Sequence, residues 1–140
     1  MMGQILRNHK PKVSIITAVF NGVKTIEKTI NCVLSQSYEN IEYIIIDGNS
    51  NDGTQAIVSR YLDNVESFVS EADNGIYNAW NRGLALATGD IIGFCNSDDF
   101  YKSDAVELAV KALGGKINAI SYGHTQFIND DGCGKLNCNK

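Results

Sequence analysis

Residues 13–20, VSIITAVF, form a nearly continuous apolar and β-branched run that ends at Asn21-Gly22. A run of this kind, without polar alternation, suits a strand buried on both faces, and Asn-Gly supplies the turn that follows it. Over residues 25–34 the apolar positions Ile26, Ile30, Val33 and Leu34 fall at helical spacing, with Glu27 in the first turn where the helix dipole favours an acid. The cycle then repeats. Residues 41–46 predict a second buried strand, DGNSNDGT its exit loop, and 54–62 a second helix. Residues 65–70 predict a third short strand, 76–87 a third helix with Gly83 inside it, and 90–95 a fourth strand ending at NSDD. A helix over 104–113, stopped by Gly114-Gly115, and a strand over 117–122 complete the pattern. Strands alternating with helices predict an α/β fold with a mostly parallel central sheet flanked by helices.

The 140 residues suffice for one domain whose core needs neither disulfides nor a structural metal, and 44% hydrophobic with 20% charged residues describes a folded globular chain. A net charge of -4, with lysines and arginines scattered, excludes the basic stripe that binds nucleic acid. No apolar run approaches the roughly 20 residues that cross a bilayer, and MMGQILRNHKPK lacks the apolar core of a signal peptide, so the expected compartment is the cytoplasm. Cys32 and Cys95 lie in apolar segments and read as buried reduced thiols. Cys133 and Cys138 have neither CxxC spacing nor a histidine cluster, so a zinc site is not expected. His9 and His124 stand alone, without a serine or cysteine arranged as a triad. Beyond His124 the pattern is lost. The expected plan is an arm over 1–12, a domain over 13–124 and a tail over 125–140.

Three polar loops follow three of the predicted strands. Asp47, Asn49, Ser50 and Asp52 follow the second, Glu71, Asp73 and Asn74 the third, and Asn96, Ser97, Asp98 and Asp99 the fourth. In a parallel sheet all three reach the edge formed by the strands' C-terminal ends, where open α/β sheets bind ligands. Carboxylates gathered there call for a cation, and hard oxygen ligands suit magnesium or manganese holding a diphosphate. Each loop also has a plainer reading, since Asp, Asn and Gly build turns. Asp52 is equally suited to cap the helix that begins at Gly53 or Thr54, and Asp99 or Asp104 to cap the next one. Arg82 and Lys102 are cations near these loops, and a solvated helix face accounts for them equally well. No GxxxxGK[ST] loop and no GxGxxG after the first strand occurs, which removes the main support for P-loop and dinucleotide readings.

Taken in order, PKVSIITAVFNG, YIIIDGNSNDGT and SEADNGIYNAWNRGLALATGDIIGFCNSDDFY closely resemble the N-terminal region of family 2 glycosyltransferases, over roughly Pro11 to Gly123. The resemblance implies the GT-A fold, a Rossmann-like sheet truncated here on its C-terminal side, with 13–124 as part of the domain that binds a nucleoside-diphosphate sugar. It implies Mn2+ or Mg2+ as cofactor. Thr17, Ala18, Val19, Asn21 and Asp47 would line the nucleoside pocket, Asp73 would lie beside the base or ribose, and Arg82 near the diphosphate. NSDD stands in place of the family's DxD-type motif: Asn96 and Ser97 would contact the nucleotide sugar, Asp98 would hold the metal and Asp99 would support it. The family often carries two acids after the second strand, whereas the second here is Gly48.

The implied reaction is an inverting transfer to a saccharide or lipid-linked acceptor in cell-surface polysaccharide biosynthesis. A carboxylate base deprotonates the acceptor hydroxyl in such enzymes, and it comes from a later segment. Asp130 and Asp131 are the acids left here, and both read as turn residues. The alternative expectation is therefore a nucleotide-sugar-binding domain without transferase activity. A nucleotidyltransferase would need a glycine-rich basic loop where AVFNGVKTIEK stands. Expected partners also include a second copy of the chain and the cytoplasmic face of the inner membrane.

Overall fold

In the computed structural model, residues 10–128 and 134–135 are described. Strand β1 (Val13–Val19) is buried at every position, as its nearly continuous apolar run predicts, and pairs in parallel with β2 (Ile41–Asp47) over its whole length, from Val13↔Ile41 to Val19↔Asp47. Strand β3 (Ser67–Ser70) joins the far side of β2, and β4 (Ile91–Phe94) the far side of β1. The result is a four-stranded sheet of order β3-β2-β1-β4, parallel throughout. The crossovers are α1 (Ile26–Leu34), α2 (Thr54–Val58) with a 3-10 turn over Ser59–Asn64, and α3 (Ile76–Leu86); α4 (Ala105–Leu113) follows β4.

Helix α3 covers one face of the sheet. Ile16, Ala18, Ile44 and Ile46 meet Ala79 there, with Val69, Trp80 and Ala87 packed at the margin. Gly83 explains itself in this contact: a β-carbon on it would lie 2.5 Å from Ile16 Cγ2. Glycine costs about 1 kcal/mol relative to alanine inside a helix, and here that cost permits the close approach of α3 to β1. Helix α1 buries Ile26, Ile30 and Val33, as their spacing predicts, together with Thr29, whereas Leu34 is exposed.

The N-terminal edge of the sheet is closed by a buried carboxylate. Glu42 is 5% exposed and accepts hydrogen bonds from Lys12 Nζ (2.9 Å), Thr88 N (2.8 Å), Thr88 Oγ1 (2.6 Å) and Ser14 Oγ. Burial pushes its pKa up, but the donors from Ser14, Thr88 and Lys12 outweigh burial and hold it down at about 2. This edge is therefore occupied by structure, and the opposite edge is left for ligand.

Three expectations are corrected. The second helix stops being α-helical at Val58, where Ser59 Oγ bonds back to Gln55 O at 2.7 Å and the following 3-10 turn buries no residue. Residues 117–122 form no strand: Ile117, Ile120 and Tyr122 are 89%, 90% and 94% exposed and no ladder pairs them. Within the predicted tail, Phe127–Ile128 (β5) pairs antiparallel with Gly134–Lys135 (β6). The described residues fall into two compact units divided between Glu107 and Leu108. Among them no helix is long and apolar enough to cross a membrane.

Candidate functional site

The parallel strands deliver their exit loops to one edge, and side chains lace those loops together. Asp47 ends β2 fully buried, its Oδ2 accepting from Ser50 N (3.0 Å) and Ser70 Oγ (2.6 Å) and its Oδ1 from Ser50 Oγ (2.5 Å). Ser50 Oγ in turn accepts Asn21 N at 2.7 Å. Asn21 holds a left-handed backbone (φ 50), a conformation asparagine tolerates, and its Oδ1 accepts Asn51 N at 3.1 Å. Thr54 Oγ1 accepts Gly22 N, and Asp52 Oδ2 accepts Val23 N, both at 3.0 Å. The loops after β1 and β2 are thus one braced unit. Asp52 Oδ1 also accepts Thr54 N at 3.0 Å, a local turn that leads into α2, whose N-cap is Gly53. The hydrogen bond from Thr54 leads in holding the Asp52 carboxyl below its usual range.

Above this floor lies a cleft of about 280 Å³ lined by Ala18, Val19, Phe20, Gly48, Asp73, Gly75, Ile76 and Ala79. Of the predicted nucleotide-binding residues, Ala18, Val19 and Asp73 line it. Thr17 does not. Alternation along β1 turns it away from Ala18 and the α3 face, and its hydroxyl donates to Cys95 O at 2.6 Å and meets Tyr43 OH at 3.0 Å. Asp47 is likewise a brace under the loops and does not line the cleft. Arg82 reaches back to the loop after β3, with Nη2 donating to Ala72 O at 3.3 Å and Nη1 3.3 Å from Glu71 Oε2, an ion pair without hydrogen-bond alignment. Lys102 is exposed.

The NSDD segment is a turn closed by Asp99 N donating to Asn96 O at 2.9 Å. Its position is fixed from two sides. Ser97 N donates to Ala18 O (3.3 Å), and buried Thr29 on α1 donates to Ser97 O (2.9 Å) and Asp99 O (3.2 Å). Trp80 Nε1 donates to Asn96 Oδ1 at 3.2 Å, and Asn96 Nδ2 to Asp99 Oδ2 at 3.3 Å. Asp98 is exposed, and no hydrogen bond or ion pair engages its carboxylate among the described residues. Thr29 and Trp80 were not legible as site residues, because their partners lie 16 to 70 positions away in sequence.

The donor set of this turn is oxygen only, which fits magnesium or manganese. Among the described residues no group of three or more acidic, histidine or cysteine side chains could cage an ion. That also fits, since magnesium-type ions are commonly held by one or two carboxylates together with substrate phosphates. Asp98, without another partner among the described residues, could contribute to such a site. Asp99 is already oriented by Asn96. His9, Asp130 and Asp131 lie outside the described residues, as do Cys133 and Cys138. Cys95 is buried as expected, while Cys32 is half-buried, and its thiol is pulled to about 7, chiefly by its hydrogen bond with Cys95.

A parallel α/β sheet with its acidic turn at the C-terminal edge is the architecture of GT-A glycosyltransferases. The mannosyltransferase PcManGT of Pyrobaculum calidifontis, solved in complex with GDP-Man and Mn2+, is similar with a TM-score of 0.71 and 27% identity, over 78% of this chain and 34% of that one. The description glycosyl transferase family 2 matches residues 14–133, and the chain belongs to that family. An uncharacterised glycosyltransferase of Mycobacterium tuberculosis is 42% identical over 76% of this chain and 41% of its own length. The putative teichuronic acid biosynthesis glycosyltransferase TuaG of Bacillus subtilis is 33% identical over 91% of this chain and 52% of its own. The chain spans about half the length of these curated relatives.

Proposed function

We propose that these residues form the donor-binding portion of an inverting glycosyltransferase, taking a nucleoside-diphosphate sugar with Mn2+ or Mg2+ for transfer to a saccharide or lipid-linked acceptor in polysaccharide assembly. The observation that carries the reading is the pairing of an apolar cleft with an oxygen-donor turn at one sheet edge. Ala18, Val19 and Phe20 offer the nucleoside an apolar wall, and the Asp47–Ser50–Asn21 chain of hydrogen bonds keeps the loops beneath it in place before ligand arrives. Arg82, the cation that the family resemblance puts near the diphosphate, is held against the loop after β3 by Glu71 and Ala72 O. Asp98, supported by Asp99, would hold the cation, which when bound neutralises charge on the departing diphosphate. The similarity to PcManGT supports the metal and donor class, and that to TuaG the polysaccharide setting.

Calorimetric titration of the 140-residue chain with UDP and GDP, with and without Mn2+, tests this reading. Metal-strengthened binding is the expected result, and absence of binding to either nucleotide would end it.

A further inference from the structure

We propose that Cys32 and Cys95 form a redox-sensitive pair beneath the NSDD turn, which a hydroperoxide joins as a disulfide and a free thiol releases, and that the link weakens metal-dependent binding at the turn. The pair itself is independent of the donor-binding reading, whereas its effect on affinity rests on it. Both residues are free thiols, Cys95 fully buried directly before Asn96 and Cys32 half-buried on α1. Both are tied to the end of the same turn. Cys95 Sγ donates to Asp99 O at 3.5 Å and Tyr101 N donates to Cys32 Sγ at 3.4 Å, so a single residue, Phe100, separates the two anchor points. Three residues before Cys32 on the same helix, Thr29 Oγ1 reaches that same Asp99 O at 3.2 Å. The face of α1 that carries Cys32 is thus packed on the strand end that carries Cys95. A cysteine that serves only as a small apolar filler needs no such polar ties.

Exposure divides the roles. A small peroxide can reach the half-buried Cys32 but not Cys95, and the Cys32 thiol is pulled down to about 7, chiefly by its hydrogen bond with Cys95, which favours the nucleophilic thiolate at neutral pH. The Cys32 sulfur attacks one peroxide oxygen, the O–O bond breaks, and the displaced hydroxide takes a proton and leaves as water. Cys32 is then a sulfenic acid. The Cys95 sulfur attacks it, the S–S bond forms as the S–O bond breaks, and the departing hydroxide carries off the Cys95 proton as a second water. Two electrons have passed from the sulfurs to the peroxide. An added thiol reverses the link by exchange and is itself oxidised to a disulfide. In the linked form Cys95 has no proton to donate to Asp99 O, and the chain is tied covalently to α1 directly before Asn96, the residue that bonds Asp99 Oδ2.

The test treats the intact chain with hydrogen peroxide, maps its cysteines by alkylation and mass spectrometry, and measures UDP and GDP binding in Mn2+ by calorimetry before oxidation, after it, and after dithiothreitol. The expected results are peptides joined through Cys32 and Cys95 and about a tenfold loss of nucleotide affinity, the lower figure for groups that orient metal ligands, restored by dithiothreitol. Cys32→Ser, which keeps an acceptor for Tyr101 N–H, should bind as the reduced chain does and lose nothing in peroxide. Cys32→Ala repeats the comparison, with circular dichroism confirming that both variants fold. No Cys32–Cys95 link, or links only to Cys133 or Cys138, would overturn the pair. A mapped link with unchanged affinity, or an equal loss in Cys32→Ser, would overturn its control of binding and leave the donor-site reading standing. Absence of nucleotide binding by the reduced chain would end that reading and the control of affinity together, while the mapped link still decides the pair.

Discussion

Trp80 Nε1 donates to Asn96 Oδ1 over 3.2 Å, and through Asn96 Nδ2, 3.3 Å from Asp99 Oδ2, an indole on α3 sets the orientation of an acid in the NSDD turn. Trp80 is itself held by an edge contact to Tyr77 (5.5 Å between centroids) and a tilted one to Phe94 (4.9 Å). Trp80→Phe keeps an aromatic ring in that packing and removes only the N–H. Groups that orient metal ligands typically change affinity by about 10 to 100-fold, and the lower figure suits a contact one residue removed. The expected result is about a tenfold loss of Mn2+-dependent nucleotide affinity, read by calorimetry, with binding in chelator unchanged. Unchanged affinity in Mn2+ would show that Asn96 needs no help from α3.

Asp47 should matter to folding as much as to ligand. Its buried carboxylate accepts three hydrogen bonds, from Ser50 N, Ser50 Oγ and Ser70 Oγ. Asp47→Ala leaves those donors unpaired in the interior and should cost about 2–4 kcal/mol, whereas Asp47→Asn, which still accepts, should cost less. Urea denaturation followed by circular dichroism measures both. A cost below about 0.5 kcal/mol for alanine would contradict the bracing role, since that is the range of ordinary surface changes.

The Glu42 cluster predicts how stability depends on pH. The folded carboxyl titrates at about 2, below its ordinary value of 4.5, because hydrogen bonds from Ser14, Thr88 and Lys12 together outweigh burial. A depressed acid contributes stability that is present above the unfolded pKa and lost as pH falls through the folded one. The loss should therefore develop between about pH 4.5 and pH 2. Glu42→Gln should be less stable at neutral pH and should flatten the profile across that window. Parallel profiles for the two proteins would show that Glu42 does not set the acid limb.

The sheet was legible because β1 and β2 are buried on both faces, and burial on both faces writes itself as a mostly apolar run, broken here only by Ser14, Thr17, Glu42 and Asp47, each hydrogen-bonded. The same signal misleads at 117–122, where the residues have the composition of a strand without a neighbour to bond to; apolar composition cannot report a missing ladder. The acidic loops were visible as a pattern, but the division of labour among them was not. Asp47, Asp52 and Asp98 are one residue type in sequence, and only their donors separate a buried brace, a tie between loops and an unengaged carboxylate. Thr17 is contiguous with Ala18 and Val19 in sequence, but strand alternation turns it to the other face of the sheet, toward Cys95 O and Tyr43 OH. Gly48, which reads in sequence as a lost acid, is in the structure closely approached by another one, since a β-carbon on it would lie 3.2 Å from Asp73 Oδ2.

The central claim is that the NSDD turn holds a cation together with a nucleoside diphosphate through Asp98, and one titration tests it most directly. UDP or GDP is titrated calorimetrically into the unaltered chain, Asp98→Ala and Asp99→Ala, each in Mn2+ and in chelator, with circular dichroism confirming that all three fold. Asp98 is exposed and free of other hydrogen bonds among the described residues, so its removal should leave the fold intact. The expected result is metal-enhanced binding in the unaltered chain, reduced about 10-fold to 100-fold in Asp99→Ala, which acts on the orientation of the turn, and no metal enhancement in Asp98→Ala. Equal binding in Mn2+ and chelator by the unaltered chain, or full metal enhancement in Asp98→Ala, would contradict the account.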